Sequence, residues 1–130
     1  MKLVCAGAAV IVGLACGAKA AQIRPAVPVM VGGADGSEGC AGTATLAIRA
    51  GSRINLRAGP GMSHPVIARL SSPHTVSICQ RRDGWVGILV LPRTRPYDCG
   101  ESDAGPKPTP YAGPCVSGWI SAKYVRFLAG

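Results

Sequence analysis

From Thr43 onward, apolar and polar residues alternate in short runs, and glycine or proline interrupts each run. A period of two puts successive side chains on opposite faces of a strand. In the β-prone run 43–48, Leu46 and Ile48 alternate with smaller or polar neighbours, and Gly51-Ser52 marks a turn. Ile54 and Leu56 then alternate with Asn55 and Arg57. After Gly59-Pro60-Gly61 the chain re-enters a strand at Pro65, with Val66, Ala68 and Leu70 on one face and Ile67 and Arg69 on the other. Ser71-Ser72-Pro73 makes the next turn, and Val76 and Ile78 alternate with Ser77 and Cys79. Asp83-Gly84 is a hairpin signal. The run Trp85 to Leu91 is apolar on both faces apart from Gly87, which predicts a central strand.

Two stretches break this pattern. Residues 21–43 are rich in Ala, Val, Gly and Pro without a helical period, and read as a loose leader that becomes ordered near Cys40. Residues 92–114 hold Pro92, Pro96, Pro106, Pro108, Pro110 and Pro114, which a sheet interior does not tolerate. This stretch reads as a long inserted loop. No long helical period occurs beyond the N-terminal segment, so the expected class is all-β, a small barrel or sandwich of short strands.

The order Asn55-Leu56-Arg57 with Gly59-Pro60-Gly61, then His64-Pro65-Val66-Ile67, Gly84-Trp85, Gly118-Trp119-Ile120 and Lys123-Tyr124-Val125 resembles the bacterial SH3-like (SH3b) domain. The resemblance covers residues 44–128. It implies a small SH3-like β-barrel, a short 3₁₀ turn near Ala122–Tyr124, and a broad role in binding. The family usually has a short hairpin where this chain has the insert 92–114.

The N-terminus adds a compartment. Met1-Lys2, an apolar and small-residue run to Ala15, and Ala18-Lys19-Ala20 form a signal-peptide pattern over residues 1–20, with cleavage before Ala21. The run is too short for a stable membrane span, so no integral span is expected after cleavage. A lipoprotein reading would acylate Cys16, but Gly13 stands where a lipobox has Leu or a similar residue. The expected location is periplasmic or secreted.

Cleavage leaves Cys40, Cys79, Cys99 and Cys115, an even set that reads as a disulfide framework in a small exported protein. Pairing Cys99 with Cys115 closes the proline-rich insert, and Cys40 then meets Cys79, although sequence alone allows three pairings. No C-x-x-C is present to suggest zinc or a redox pair, and neither metal nor cofactor is expected.

The net charge of +8 favours anionic partners, yet only Arg81 and Arg82 are adjacent. Without clustered cations and interleaved aromatics, nucleic acid is not an expected partner. No G-x-S-x-G, H-E-x-x-H or phosphate loop occurs, His64 and His74 are the only histidines, and the six acidic residues form no evident pair. The chain is therefore read as a non-enzyme.

The candidate binding residues are Arg57, Met62, Ser63, His64, Trp85 and Tyr124. The family's ligand groove borders the loop after Gly59-Pro60-Gly61, so the resemblance puts Met62, Ser63 and His64 beside it. Trp85 supplies an apolar face and one N–H donor, or else packs in the core. Trp119 favours the core. Tyr124 can line the same groove with its hydroxyl outward. Arg57 can hold a carboxylate through its planar fork, or sit as a solvated strand residue. Two functions follow as expectations. One is an exported module that binds a cell-wall component such as peptidoglycan. The other is a protein-interaction or inhibitor module that works through the 92–114 loop.

Overall fold

The computed structural model describes residues 24–33, 40, 42–72, 74–94, 98–100 and 105–127. The signal peptide expected over 1–20 and the alternative lipid site at Cys16 lie outside the described residues, as do parts of the leader and of the insert.

The described residues form an all-β structure. Its strands are β1 (Met30–Val31), β2 (Gly42–Leu46), β3 (Arg53–Arg57), β4 (Val66–Ser71), β5 (Thr75–Arg82), β6 (Trp85–Val90), β7 (Thr109–Pro110), β8 (Val116–Ser121) and β9 (Val125–Phe127). A single 3₁₀ turn, Ala122–Tyr124, separates β8 from β9. Seven strands form one antiparallel sheet in the order β4-β3-β8-β6-β5-β2-β9, curled into a half-barrel. β6, apolar on both faces, is the middle strand of that order. β1 and β7 pair separately as a two-stranded ribbon.

The β5–β6 hairpin turns at Asp83 (φ 48°) and Gly84 (φ 84°). Left-handed conformation at both central residues is what a tight hairpin turn requires, and Asp-Gly meets it at low steric cost.

The concave face of the sheet holds one core. Ala44 and Leu46 of β2, Ile54 and Leu56 of β3, Leu70, Val76, Ile78, Val86, Ile88 and Ile120 form a single buried cluster. Each is the inward member of its strand's alternation. The β3–β4 ladder carries a register shift beside Leu56 and Arg57, which leaves Ile67 as an extra residue on β4. Ile67 turns toward the core cluster and Val66 is left 39% exposed. A bulge of this kind reverses which alternate residues face inward, so Val66 does not share a face with Leu70 as the alternation predicted.

The convex face holds a second core. Leu89 and Leu91 from β6 and its extension, and Trp119 from β8, pack there against Val29, Val31, Cys99 and Tyr111. The last four belong to the leader and the insert. The leader is therefore not loose where it is described: Val29 and Val31 are buried, and the chain around them is bonded on every side. The Val27 N–H donates to the Ala58 carbonyl at 2.9 Å, the Met30 N–H to Gln80 Oε1 at 2.9 Å, and the Tyr111 N–H to the Val29 carbonyl at 2.8 Å. Val29 sits over Gly87, where any Cβ would meet its methyl groups at 3.1–3.2 Å. β6 carries glycine at this point so that the leader can approach the sheet.

Tyr111 organises the insert. Its hydroxyl donates to the Cys99 carbonyl at 2.6 Å and accepts from the Cys115 N–H at 2.9 Å. Two disulfides, Cys40–Cys79 and Cys99–Cys115, fasten leader and insert, with Cα–Cα distances of 4.1 and 5.3 Å. Cys79 lies where β5 bulges between Ile78 and Gln80. Two bridges of this kind are compatible with an oxidising compartment. Among the described residues no helix is long and apolar enough to cross a membrane.

Candidate functional site

β3 presents Arg53, Asn55 and Arg57 on its outward face, since Ile54 and Leu56 are committed to the core. These outward residues form one wall of a groove of about 350 Å³. Met62, 74% exposed, forms the rim on the loop that follows. Trp85, at the start of β6, and the segment Ser121, Lys123 and Tyr124 form the opposite side.

Short backbone contacts bring these four stretches together. Trp85 stands directly across the ladder from Ser121, and Arg57 across from Trp119. The Ala122 N–H donates to the Gly84 carbonyl at 2.8 Å, which ties the hairpin turn to the 3₁₀ turn. The Ala47 N–H donates to the Tyr124 carbonyl at 2.7 Å and fixes the other end of that turn. Ser121 caps the turn by accepting from the Lys123 N–H at 3.5 Å. Trp85 is half-buried: one part of it packs against the convex core and another faces the groove.

The loop between β3 and β4 is tied to itself. Arg57 Nη1 donates to the His64 carbonyl at 2.8 Å and to the Met62 carbonyl at 3.2 Å. The Ala58 N–H reaches the Pro65 carbonyl at 2.9 Å, and the His64 N–H reaches the Gly61 carbonyl at 3.2 Å. The His64 imidazole lies against Gly59, so a Cβ there would stand 2.5 Å from the ring. Gly59 is thus required by the packing of His64, and His64 acts as a filler of its own loop.

Of the residues expected at a binding site, Arg57, Met62, Trp85 and Tyr124 converge on the groove, while Ser63 and His64 are not among its walls. Arg57 serves the groove partly by holding its rim. Arg53, Asn55, Ser121 and Lys123 were not anticipated. The β3 alternation that places Asn55 and Arg57 together also reaches Arg53, so that signal was present in the sequence. Lys123 stands beside Tyr124 in the closing motif, whereas Ser121 gives no signal, because the 3₁₀ turn decides where it points.

Trp119 is fully buried in the convex core, and its indole Nε1 donates to the Val27 carbonyl at 2.8 Å. The Arg82 guanidinium covers its ring at 5.4 Å. Trp119 is therefore a packing residue. Among the described residues no group of three or more His, Cys, Asp or Glu side chains is placed to hold a metal ion.

Comparison with family models, with curated proteins and with solved structures finds no match for this chain. The functional reading therefore rests on the groove.

Proposed function

We propose that this protein is an exported, non-catalytic binding module of SH3-like topology, and that it holds a component of the bacterial cell wall, peptidoglycan, in the groove beside β3. The observation that carries this reading is the convergence of Arg57, Met62, Trp85 and Tyr124 on one groove, although the sequence spreads them over nearly seventy residues. A half-buried tryptophan beside a tyrosine suits the apolar face of a sugar or the plane of a peptide bond. Arginine, asparagine and serine nearby offer the few polar contacts that orient a ligand. The two disulfides fit an exported setting.

Part of the described insert is committed to packing. Cys99 and Tyr111 are buried in the convex core, and Thr109 and Pro110 pair with the leader. Cys99 and Tyr111 help to cover the sheet, while residues 105–110 are exposed.

The test is co-sedimentation of the purified protein with peptidoglycan sacculi at low and moderate salt. Binding that survives moderate salt, and that falls several-fold in Trp85→Ala, is the expected result. Absence of binding at both salt concentrations overturns the reading. Binding that vanishes with salt reduces it to general charge attraction.

A further inference from the structure

The groove is one-sided in charge. Among the described residues three cations, Arg53, Arg57 and Lys123, line it, and no carboxylate does. Among the described residues the acidic side chains are Asp83, on the β5–β6 turn, and Asp98, which accepts from the Gly100 N–H within the insert. Arg57 spends Nη1 on the loop carbonyls, whereas Arg53 and Lys123 are exposed side chains on opposite sides of the groove. The Lys123 ammonium stands 5.1 Å from the centre of the Tyr124 ring, which keeps a cation beside an aromatic face. Arg53 and Arg57 are about 13 Å apart along β3 at the ordinary strand rise. The lining thus runs the length of β3, which suits an extended ligand.

We infer that Arg53 and Lys123 select a carboxylate on an extended wall peptide, with Arg57 as the positioning residue that holds the Met62 rim. This rests on the wall-binding reading above and names the ligand group within it. The remaining walls favour a peptide as the carrier. Asn55 and Ser121 supply donors and acceptors for peptide groups, and Trp85 and Tyr124 supply flat faces for planar amides. A phosphodiester polyol has the charge but no planar group for those faces.

The probe is acetyl-Ala-Glu-Lys-Ala with free carboxylates, compared with the same peptide amidated at both carboxylates. Binding is read by amide and indole NMR shifts of protein purified from cells expressing the full chain. The free peptide is expected to shift the Trp85 indole and the β3 amides. Amidation, Arg53→Gln and Lys123→Gln are each expected to raise Kd about tenfold, the scale of one charge-assisted hydrogen bond. Arg49→Gln, at an exposed cation outside the groove, should leave Kd unchanged. Equal binding of the amidated peptide, an equal loss in Arg49→Gln, or no binding of either peptide overturns the inference.

Sacculi separate the two readings. If sacculi sediment the protein equally before and after carboxyl amidation, wall binding stands and carboxylate selection falls. If hydrofluoric acid treatment of the sacculi alone abolishes binding, a phosphate polymer is the ligand and the inference falls. If the peptide binds with the expected dependence on Arg53 but sacculi do not, carboxylate selection stands and the wall reading falls.

Discussion

The indole N–H of Trp119 donates to the backbone carbonyl of Val27 across a separation of 92 residues. This bond ties the leader to β8, and it lies in the same convex core as Val29, Leu89 and Tyr111. Trp119→Phe keeps most of the apolar surface but leaves that carbonyl without its donor. A loss of about 1–3 kcal/mol in urea unfolding is expected. Trp119→Ala should cost about 3–5 kcal/mol, since the site is fully enclosed. Trp85→Ala should cost clearly less, because Trp85 is only half-buried.

The contact between Gly87 and Val29 gives a second test. Gly87→Ala would place a methyl group 3.1 Å from Val29 Cγ1 and push the leader off the sheet. Overpacking of this kind costs about 1–3 kcal/mol. The distinctive sign is faster hydrogen exchange at the Met30 and Tyr111 amides, which bond across that layer, with the β3–β4 amides unaffected. Unchanged exchange in the leader would show that Val29 does not depend on the glycine.

The disulfides close loops of different length. Cys99–Cys115 spans 16 residues and Cys40–Cys79 spans 39. The chain-entropy model gives about 3 and about 4 kcal/mol for loops of these sizes. Cys99→Ser with Cys115→Ser should therefore lower the unfolding free energy by less than Cys40→Ser with Cys79→Ser. Urea titrations of the two double variants check the order.

His74 gives the protein one pH-dependent contribution. Partial burial, and next the Arg93 guanidinium, hold its imidazole pKa below the ordinary value, while the Ser71 carbonyl acts the other way. Nδ1 lies 3.2 Å from that carbonyl and 3.4 Å from Arg93 Nη2. The unfolded chain binds the proton more readily than the folded one, so stability rises with pH across this interval. The contribution is complete above the unfolded value, near pH 6.5, and is lost as pH falls through the lower folded value. Arg93→Gln should move the His74 proton titration upward, as read by the imidazole NMR resonance. No movement would remove Arg93 as a cause.

Much of the half-barrel was legible in advance. The alternation of Ile54 and Leu56, the two-sided apolar run from Trp85, and Asp83-Gly84 each act through local geometry that a strand or tight turn imposes by itself. The groove was half legible. Arg57, Met62, Trp85 and Tyr124 were visible as chemistry at expected places, and Arg53 lay on the same alternation. The resemblance puts Ser63 and His64 beside the groove with Met62, but neither is among its described walls, and the loop folds back on itself with His64 packed against Gly59. A loop's sequence does not say which of its side chains it uses to fill its own interior.

What the sequence alone determined is the all-β class, the positions of the main strands and turns, and the supply of cysteines for two bridges. These follow from period-two patterning, turn chemistry and composition, which act over a few residues or over the whole chain at once. Only the tertiary structure decided that the leader becomes a layer. Pro25, Pro28 and Gly32 make residues 24–33 look like a linker, and nothing local favours order there. Val29 is buried because Gly87 leaves a space in β6, and Val27 is held because Trp119 needs an acceptor. The partners come from β6 and β8, far along the chain, so folding itself had to bring them together before the leader had anything to pack against.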